Sequence, residues 1–175
     1  VSSADRPSRR TTITNAAGAR FEIMNGGDLF DNYFPGNAFE NNGLMVKVSG
    51  SAATVFNDWT FRNPGELKTE FGPLEVNANL ILTQTSKLSG TGLQKWLSDV
   101  VSLAGTVTVE CPLELDGSTV EATGAVTLTN DWTWKSGILK GQFNLPAGKH
   151  LTIQGAGEHL LDTGAMINNY GVVRW

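Results

Sequence analysis

The chain lacks a cysteine pair, a long apolar run and an excess of basic residues. Its single cysteine, Cys111, cannot form an internal disulfide and has no cysteine or histidine neighbours at zinc-site spacing. No stretch reaches the roughly 20 apolar residues that span a bilayer, and no basic segment followed by an apolar run marks a signal peptide. The formal charge of −4, from 13 basic and 17 acidic residues, disfavours nucleic acid as a partner.

The sequence does contain a repeated motif, called a phrase below. Residues 57–61 (Asn-Asp-Trp-Thr-Phe) reappear 73 positions later as residues 130–134 (Asn-Asp-Trp-Thr-Trp). At a shorter shift of 22, residues 39–43 (Phe-Glu-Asn-Asn-Gly) match residues 61–65 (Phe-Arg-Asn-Pro-Gly). Self-similarity at about 20 to 25 residues is typical of stacked repeats, in which no unit buries its apolar face alone.

Short alternating segments bounded by Gly, Asn, Asp and Pro fill the chain from Thr11 onward, which indicates an all-β fold. Apolar residues alternate with polar ones, as at Val107 and Val109, so one side of each predicted strand points inward. The predicted strands are residues 20–24, 44–48, 66–69, 79–83, 106–110, 113–115, 125–129, 138–140 and 150–153. Residues 93–101 also fit helical spacing, and a short helix there is as well supported as a strand.

Asn-x-Gly triplets recur at residues 25–27, 41–43, 63–65 and 169–171. Because Gly and Asn tolerate a positive φ, we interpret the triplets as tight corners that return once per repeat. Their asparagines could also hydrogen-bond from one repeat to the next, as amide ladders do in other stacked β structures. This pattern favours a structural role for the asparagines over a catalytic one.

The alternation of Phe-x-Asn-x-Gly, a polar strand, a Gly turn and an apolar strand resembles the right-handed parallel β-solenoids of bacterial surface and secreted proteins. Residues 134–143, 148–153 and 167–175 are similar to repeats of large adhesin-like and pectin-lyase-like chains. The resemblance covers roughly residues 18–175. It implies architecture more than activity, because adhesins, structural filaments and polysaccharide lyases share this scaffold.

The sequence thus predicts an all-β, right-handed parallel β-solenoid (β-helix) of about seven turns, a single domain over residues 11–175, after a flexible tail at residues 1–10. We expect a non-enzymatic structural or adhesive module, extracellular or on the cell surface, without a cofactor or metal. One alternative is a carbohydrate-binding or polysaccharide-degrading β-helix, which needs acidic residues in a groove beside exposed tryptophans. A second alternative is an ice-binding solenoid.

The candidate catalytic carboxylates do not form a recognisable pair. Asp58 and Asp131 occupy the same place in the 73-residue echo, which favours turn or capping roles over an asymmetric acid and base. Glu110 and Glu114 lie too close to a proline turn to be assigned to one face. The two histidines of the chain have no nucleophile motif, metalloprotease spacing or Gly-rich phosphate loop near them.

Three tryptophans, Trp59, Trp132 and Trp134, are candidates for stacking on a sugar, because indole faces pack well on flat apolar surfaces. Trp132 and Trp134 alternate with Thr133 and so point to the same side of their strand. If this side faces solvent, the two tryptophans would form a platform for a glycan. If it faces the interior of the solenoid, they are core residues. Phe61 takes the place of Trp134 in the earlier copy of the phrase, and this favours the core.

Three Thr-x-Thr pairs are spaced 23 and 21 residues apart, close to the predicted repeat. Stacked in register, they would form a flat threonine array that resembles the surface of ice-binding β-solenoids. The pairs are Thr83 with Thr85, Thr106 with Thr108, and Thr127 with Thr129. The simpler interpretation is that threonine favours strands and faces water well.

The last four residues (Val-Val-Arg-Trp) are mainly apolar and do not form a polar capping segment. A solenoid that stops in this way leaves strand edges unpaired and its core open. We therefore expect this end to be covered, either by adjoining repeats of a longer chain or by a second copy of this chain, with contacts that continue as a filament if they do not close.

Overall fold

A computed structural model describes residues 11–29, 36–97 and 100–175, and the predicted tail at residues 1–10 lies outside them. The described chain is an all-β parallel solenoid of about seven turns, without a helix. Its strands are β1 (Thr12–Asn15), β2 (Arg20–Ile23), β3 (Gly27–Leu29), β4 (Ala38–Asn41), β5 (Leu44–Lys47), β6 (Thr54–Asn63), β7 (Glu66–Thr69), β8 (Leu74–Thr83), β9 (Lys87–Ser89), β10 (Gln94–Leu97), β11 (Val100–Ala104), β12 (Val107–Val109), β13 (Leu113–Leu128), β14 (Trp132–Leu145), β15 (His150–Ile153), β16 (His159–Leu161), β17 (Met166–Asn169) and β18 (Val172–Arg174).

Each turn of the solenoid, here called a coil, contributes one strand segment to each of three faces. Face 1 begins with β1, face 2 with β2 and face 3 with β3, and every face continues by parallel pairing to the last coil. The longer strands turn corners: β6 and β8 run from face 3 to face 1, whereas β13 and β14 cross all three faces. The paired segments therefore stack in columns along one axis, about 4.8 Å apart.

Alternating side chains fill the interior along these columns. On face 1 the buried column runs through Phe39, Phe61, Leu80, Val101, Val120 and Leu139. Phe39 and Phe61 also contact each other edge to face, with ring centroids 5.8 Å apart. The period-two pattern of the sequence thus produces a continuous apolar core between the three faces.

The register confirms the 22-residue echo, because Phe39 lies directly opposite Phe61 and Glu40 opposite Arg62. The 73-residue echo is not a structural repeat: Phe61 lies on face 1, whereas Trp134 lies on face 3. Successive coils differ in length, with partners 26, 22 and 19 residues apart at different heights. A fixed shift therefore does not return to the same face after several coils.

In the segment with helical spacing, residues 93–101, the described residues are extended. β10 and β11 supply it, and only residues 98 and 99 between them lie outside the described chain. Trp96 pairs with Val76 below it and Leu115 above it, and its side chain is buried. The helix alternative is wrong because the neighbouring coils provide parallel edges on both sides, and tertiary pairing overrides the local apolar spacing.

Two of the glycine corners exist for a reason that we did not predict. Gly43 and Gly65 do not have a positive φ; instead, successive corner backbones approach too closely for any side chain. A Cβ on Gly43 would lie 2.3 Å from the Ala19 oxygen, and one on Gly65 would lie 2.3 Å from the Gly43 oxygen. Other corners do use a positive φ, as at Gly137 (φ 111°) and, without a glycine, at Asp58 (φ 60°).

Candidate functional site

A buried amide ladder joins the first three coils at the corner between face 1 and face 2. Asn15 Nδ2 donates to Asn41 Oδ1 at 2.7 Å, and Asn41 Nδ2 donates to Asn63 Oδ1 at 2.6 Å. The same Asn41 amide also donates to the Glu66 carbonyl at 2.9 Å. The predicted structural role is confirmed for Asn41 and Asn63, and Leu82 replaces the amide in the next coil. The sequence missed Asn15, which is followed by Ala-Ala-Gly rather than by x-Gly.

Charged side chains form a second ladder on the outer side of face 3. Lys95 lies 2.9 Å from Glu75 and 3.9 Å from Glu114, while Lys135 lies 2.9 Å from Glu114. The hydrogen bond that Lys95 donates to the Glu75 carboxylate raises the pKa of Lys95, and burial opposes this rise. The Glu114 carboxylate is therefore ion-paired with two lysines, which makes it a poor candidate for general acid or base chemistry. Its charge holds neighbouring coils together.

The three candidate sugar-stacking tryptophans, Trp59, Trp132 and Trp134, are core residues. Their exposed fractions are 8%, 2% and 2%, respectively. Trp132 also packs against Phe143, with ring centroids 6.4 Å apart. The indole N–H groups of Trp132 and Trp134 find no acceptor within the described chain. A platform for sugar stacking needs exposed indole faces, and the indoles of these three tryptophans are buried.

The six threonines of the proposed flat array do not align pair by pair. Thr108 lies opposite Thr127 on face 2, but on its other side it lies opposite Lys87 rather than a third threonine.

The other threonines of the proposed array lie elsewhere. Thr83 lies at the end of a face 1 segment, opposite Ala104. Thr83 and Thr85 bond to each other through their hydroxyls at 2.8 Å. Thr106, beside Gly105, is exposed, and Thr129 donates to the Val109 carbonyl at 3.0 Å. The condition that would favour ice binding, alignment on one face, is not met by this register.

Asp58 and Asp131 are not equivalent in the structure. Asp58 is an exposed corner residue between faces 3 and 1, whereas Asp131 precedes the face 3 segment of β14. Asp131 Oδ1 accepts the His150 backbone N–H at 2.9 Å, and Oδ2 lies 3.3 Å from the His150 ring. The backbone hydrogen bond lowers the pKa of Asp131. This pair is exposed and links adjacent coils, which is a capping arrangement.

His159, in contrast, belongs to the C-terminal end of the solenoid. Its Nε2 lies 3.1 Å from the Trp134 carbonyl oxygen, and its ring contacts Trp134 edge to face at 5.2 Å. On its other side the ring lies 6.0 Å from the Trp175 ring. His159 thus lies between Trp134 and Trp175 in an aromatic series that ends with an exposed indole.

Two reactive side chains are sealed inside the core. Lys47 is fully buried, and its Nζ donates to the Ala52 carbonyl and to Thr54 Oγ1, both at 2.8 Å. Burial lowers the pKa of Lys47 and raises the pKa of Cys111 to about 12. Neither group reaches solvent, so both are structural in this fold. The burial of Lys47 was not predicted from the sequence.

The two ends of the solenoid are where interior positions meet solvent. In the last coil (β16–β18), Leu161 is 51% exposed and Val173 is 39% exposed, although both continue buried columns. Trp175 is 90% exposed. At the opposite end, Ile13 of the first coil (β1–β3) is exposed, and a cavity of about 310 Å³ opens between faces 2 and 3. These ends are the candidate functional site.

Fold and surface define the class: a parallel β-solenoid whose polar side chains pair mainly from coil to coil. Comparison with known protein families, curated proteins and solved structures gives no match to this chain. Within residues 11–29, 36–97 and 100–175, no helix is long and apolar enough to cross a membrane. In those same ranges, no group of three or more His, Cys, Asp or Glu residues is arranged to hold a metal ion.

Proposed function

We propose that this chain is a non-enzymatic structural or adhesive module of the cell surface or extracellular space, in which the solenoid acts as a rigid spacer. The observation that carries the proposal is the direction of the polar contacts. The amide ladder at Asn41 and the ion ladder at Lys95 both run along the solenoid axis. Such contacts stabilise the stack against bending and leave few polar groups converging on a ligand.

The proposed location and family rest on the resemblance of the Phe-x-Asn-x-Gly coils to bacterial adhesin-like and pectin-lyase-like repeats. The carbohydrate alternative needs acidic residues beside exposed tryptophans. Trp132 and Trp134 are buried, and Glu114 is paired with lysines, so no observation favours that alternative. The resemblance therefore supports the adhesin-like side of the family more than the lyase-like side.

A distance measurement between the two ends tests the rigid-spacer function. Ala17→Cys in the first coil and Ala156→Cys beside the last coil place spin labels on exposed corners, while Cys111 is too buried to react. Seven coil spacings predict a separation of roughly 30 to 40 Å. Pulsed electron–electron double resonance, on labelled protein diluted with unlabelled protein, should give one narrow peak in the distance distribution.

The same sample then distinguishes a spacer from a ligand-responsive protein. We expect no change of the peak on adding mixed acidic and neutral polysaccharides, and no release of reducing ends from them. A broad distance distribution, a shift caused by a polysaccharide, or turnover that is lost in Glu114→Gln would each contradict the proposal. The singly labelled variant with Ala156→Cys alone serves as the control, because any distance that it gives is intermolecular.

A further inference from the structure

We propose that the two ends of the solenoid bind each other head to tail, so that the last coil of one copy stacks on the first coil of a second copy. This inference rests on the structural function proposed above and names its partner: the chain itself. Free strand edges supply the frame. Among the described residues, β1, β2 and β3 each pair on one side only, as do β16, β17 and β18.

The apolar positions of the two ends fall in the same columns. Leu161 continues the face 1 column that begins with Ile13, and both side chains are exposed. Trp175 follows Arg174, which pairs with Thr152, so it continues the face 3 column that begins with Leu29. A second copy stacked at the usual spacing would therefore place Leu161 on Ile13 and Trp175 on Leu29.

The first coil has space for the protruding indole. The cavity of about 310 Å³ at that end is lined by Phe21, Ile23, Leu29 and Thr54, among others. Trp175 is the most exposed of the large apolar residues within the described chain. Burying a Trp in an apolar pocket is a common anchor of protein interfaces. The indole and the cavity lie on matching faces at opposite ends.

Charge complementarity fixes the polarity of the contact. Asp28 and Arg174 stand at the two ends of the same outward column on face 3, and neither has an ion-pair partner among the described residues. Stacking would place Arg174 of one copy beside Asp28 of the next, as Lys95 already lies 2.9 Å from Glu75 in this column. Two identical ends would instead bring like charges together.

One column is less well matched. Asn169 continues the face 2 column that begins with Phe21. Its Oδ1 already accepts the Gly171 backbone N–H at 3.0 Å, so part of its hydrogen-bonding need is met within its own coil. Because the contact joins different surfaces along a straight axis, it does not close, and it predicts filaments that lengthen with concentration.

A charge exchange tests both the contact and its register. Sedimentation velocity and negative-stain electron microscopy of the wild-type chain across a concentration series should show assembly into filaments. Asp28→Arg alone and Arg174→Asp alone should each weaken association about tenfold or more, because each sets like charges face to face. An equal mixture of the two variants should assemble again, with alternating copies, and so should the double variant.

Matched controls change charge away from the ends. Glu110→Arg and Arg62→Asp alter exposed residues on the sides of the solenoid, and both should assemble like wild type. A wild-type chain that stays monomeric at every concentration would overturn the proposal, and adjoining coils of a longer chain would then be the better occupant. Full assembly of either single variant, or a mixture that stays monomeric, would overturn the register. A narrow end-to-end distance in a monomeric chain would still support the spacer function.

Discussion

The ionisation of Cys111, a buried core residue, makes the free energy of unfolding depend on pH. Burial raises its pKa to about 12 in the folded chain, whereas an exposed thiol in the unfolded chain ionises near pH 8.5. Between these values the unfolded chain binds fewer protons than the folded chain, so the free energy of unfolding falls as pH rises. The loss begins near the unfolded pKa and continues to about pH 12.

Cys111→Ala should remove that pH dependence. Urea unfolding of both proteins at about pH 8 and about pH 10 should show the wild-type chain losing up to about 1.4 kcal/mol per pH unit more than the variant. Lys47, whose pKa burial lowers, contributes a slope of the opposite sign, but it is present in both proteins and cancels in the difference. Equal slopes for the two proteins would show that the thiol is accessible in the folded state.

Single residues were predicted well where their neighbours in sequence decide their environment. The alternation of Trp132 and Trp134 with Thr133 correctly puts both indoles on one side of their strand, and both are core, whereas Phe61 of the earlier phrase lies on another face and is not their structural counterpart. The ladder role of Asn15 could not be predicted, because it depends on a 26-residue coil that brings Asn15 beside Asn41. The contact between Asn15 and Asn41 depends on the long-range register of the coils and not on the residues that neighbour Asn15 in sequence.

At the scale of the element, the amide ladder predicts a large cost for losing its central member. Asn41→Leu copies the side chain that Leu82 supplies two coils further on, yet it removes the donor to Asn63 Oδ1 and to the Glu66 carbonyl. It also removes the acceptor of Asn15 Nδ2. We expect the free energy of unfolding to fall by about 2 to 4 kcal/mol, because buried polar groups lose their partners.

The matched control is Asn168→Leu, on the outer side of face 2. Asn168 Nδ2 donates to Asn144 Oδ1 at 2.9 Å, and the pair is only partly buried, so water can replace the lost bond. Its cost should stay below about 1 kcal/mol in the same urea titration. Equal costs for the two variants would mean that the buried ladder adds nothing beyond an ordinary surface hydrogen bond.

The strands themselves were largely predictable, and their order around the solenoid was not. β7 and β15 begin and end where alternation and turn residues indicate, whereas the helix considered for residues 93–101 is two strands. The corners at Gly43 and Gly65 were located correctly, but close backbone approach, not a positive φ, requires the glycines there. Both outcomes depend on the coils above and below, which a single sequence does not display.

At the scale of the whole molecule, the columns produce a stability that falls toward both ends. A middle coil is covered on both sides, and its interior residues, such as Leu80 and Val101, are buried. An end coil is covered on one side, which leaves Leu161 and Val173 half exposed. In stacked repeats the stability of each unit depends on its nearest neighbours, so the end coils should open first.

Hydrogen exchange should show this gradient and, with it, the proposed assembly. In a monomeric sample of Asp28→Arg, backbone amides of β1–β3 and β16–β18 should exchange at least about tenfold faster than those of β8 and β11. Stacking pairs the free edges, so the equal mixture of Asp28→Arg and Arg174→Asp should slow exchange at both ends while leaving the middle strands unchanged. Uniform exchange along the monomer would contradict the nearest-neighbour account. Protection gained at one end only would mean that identical ends meet, because a head-to-tail contact must cover the first coil and the last coil equally.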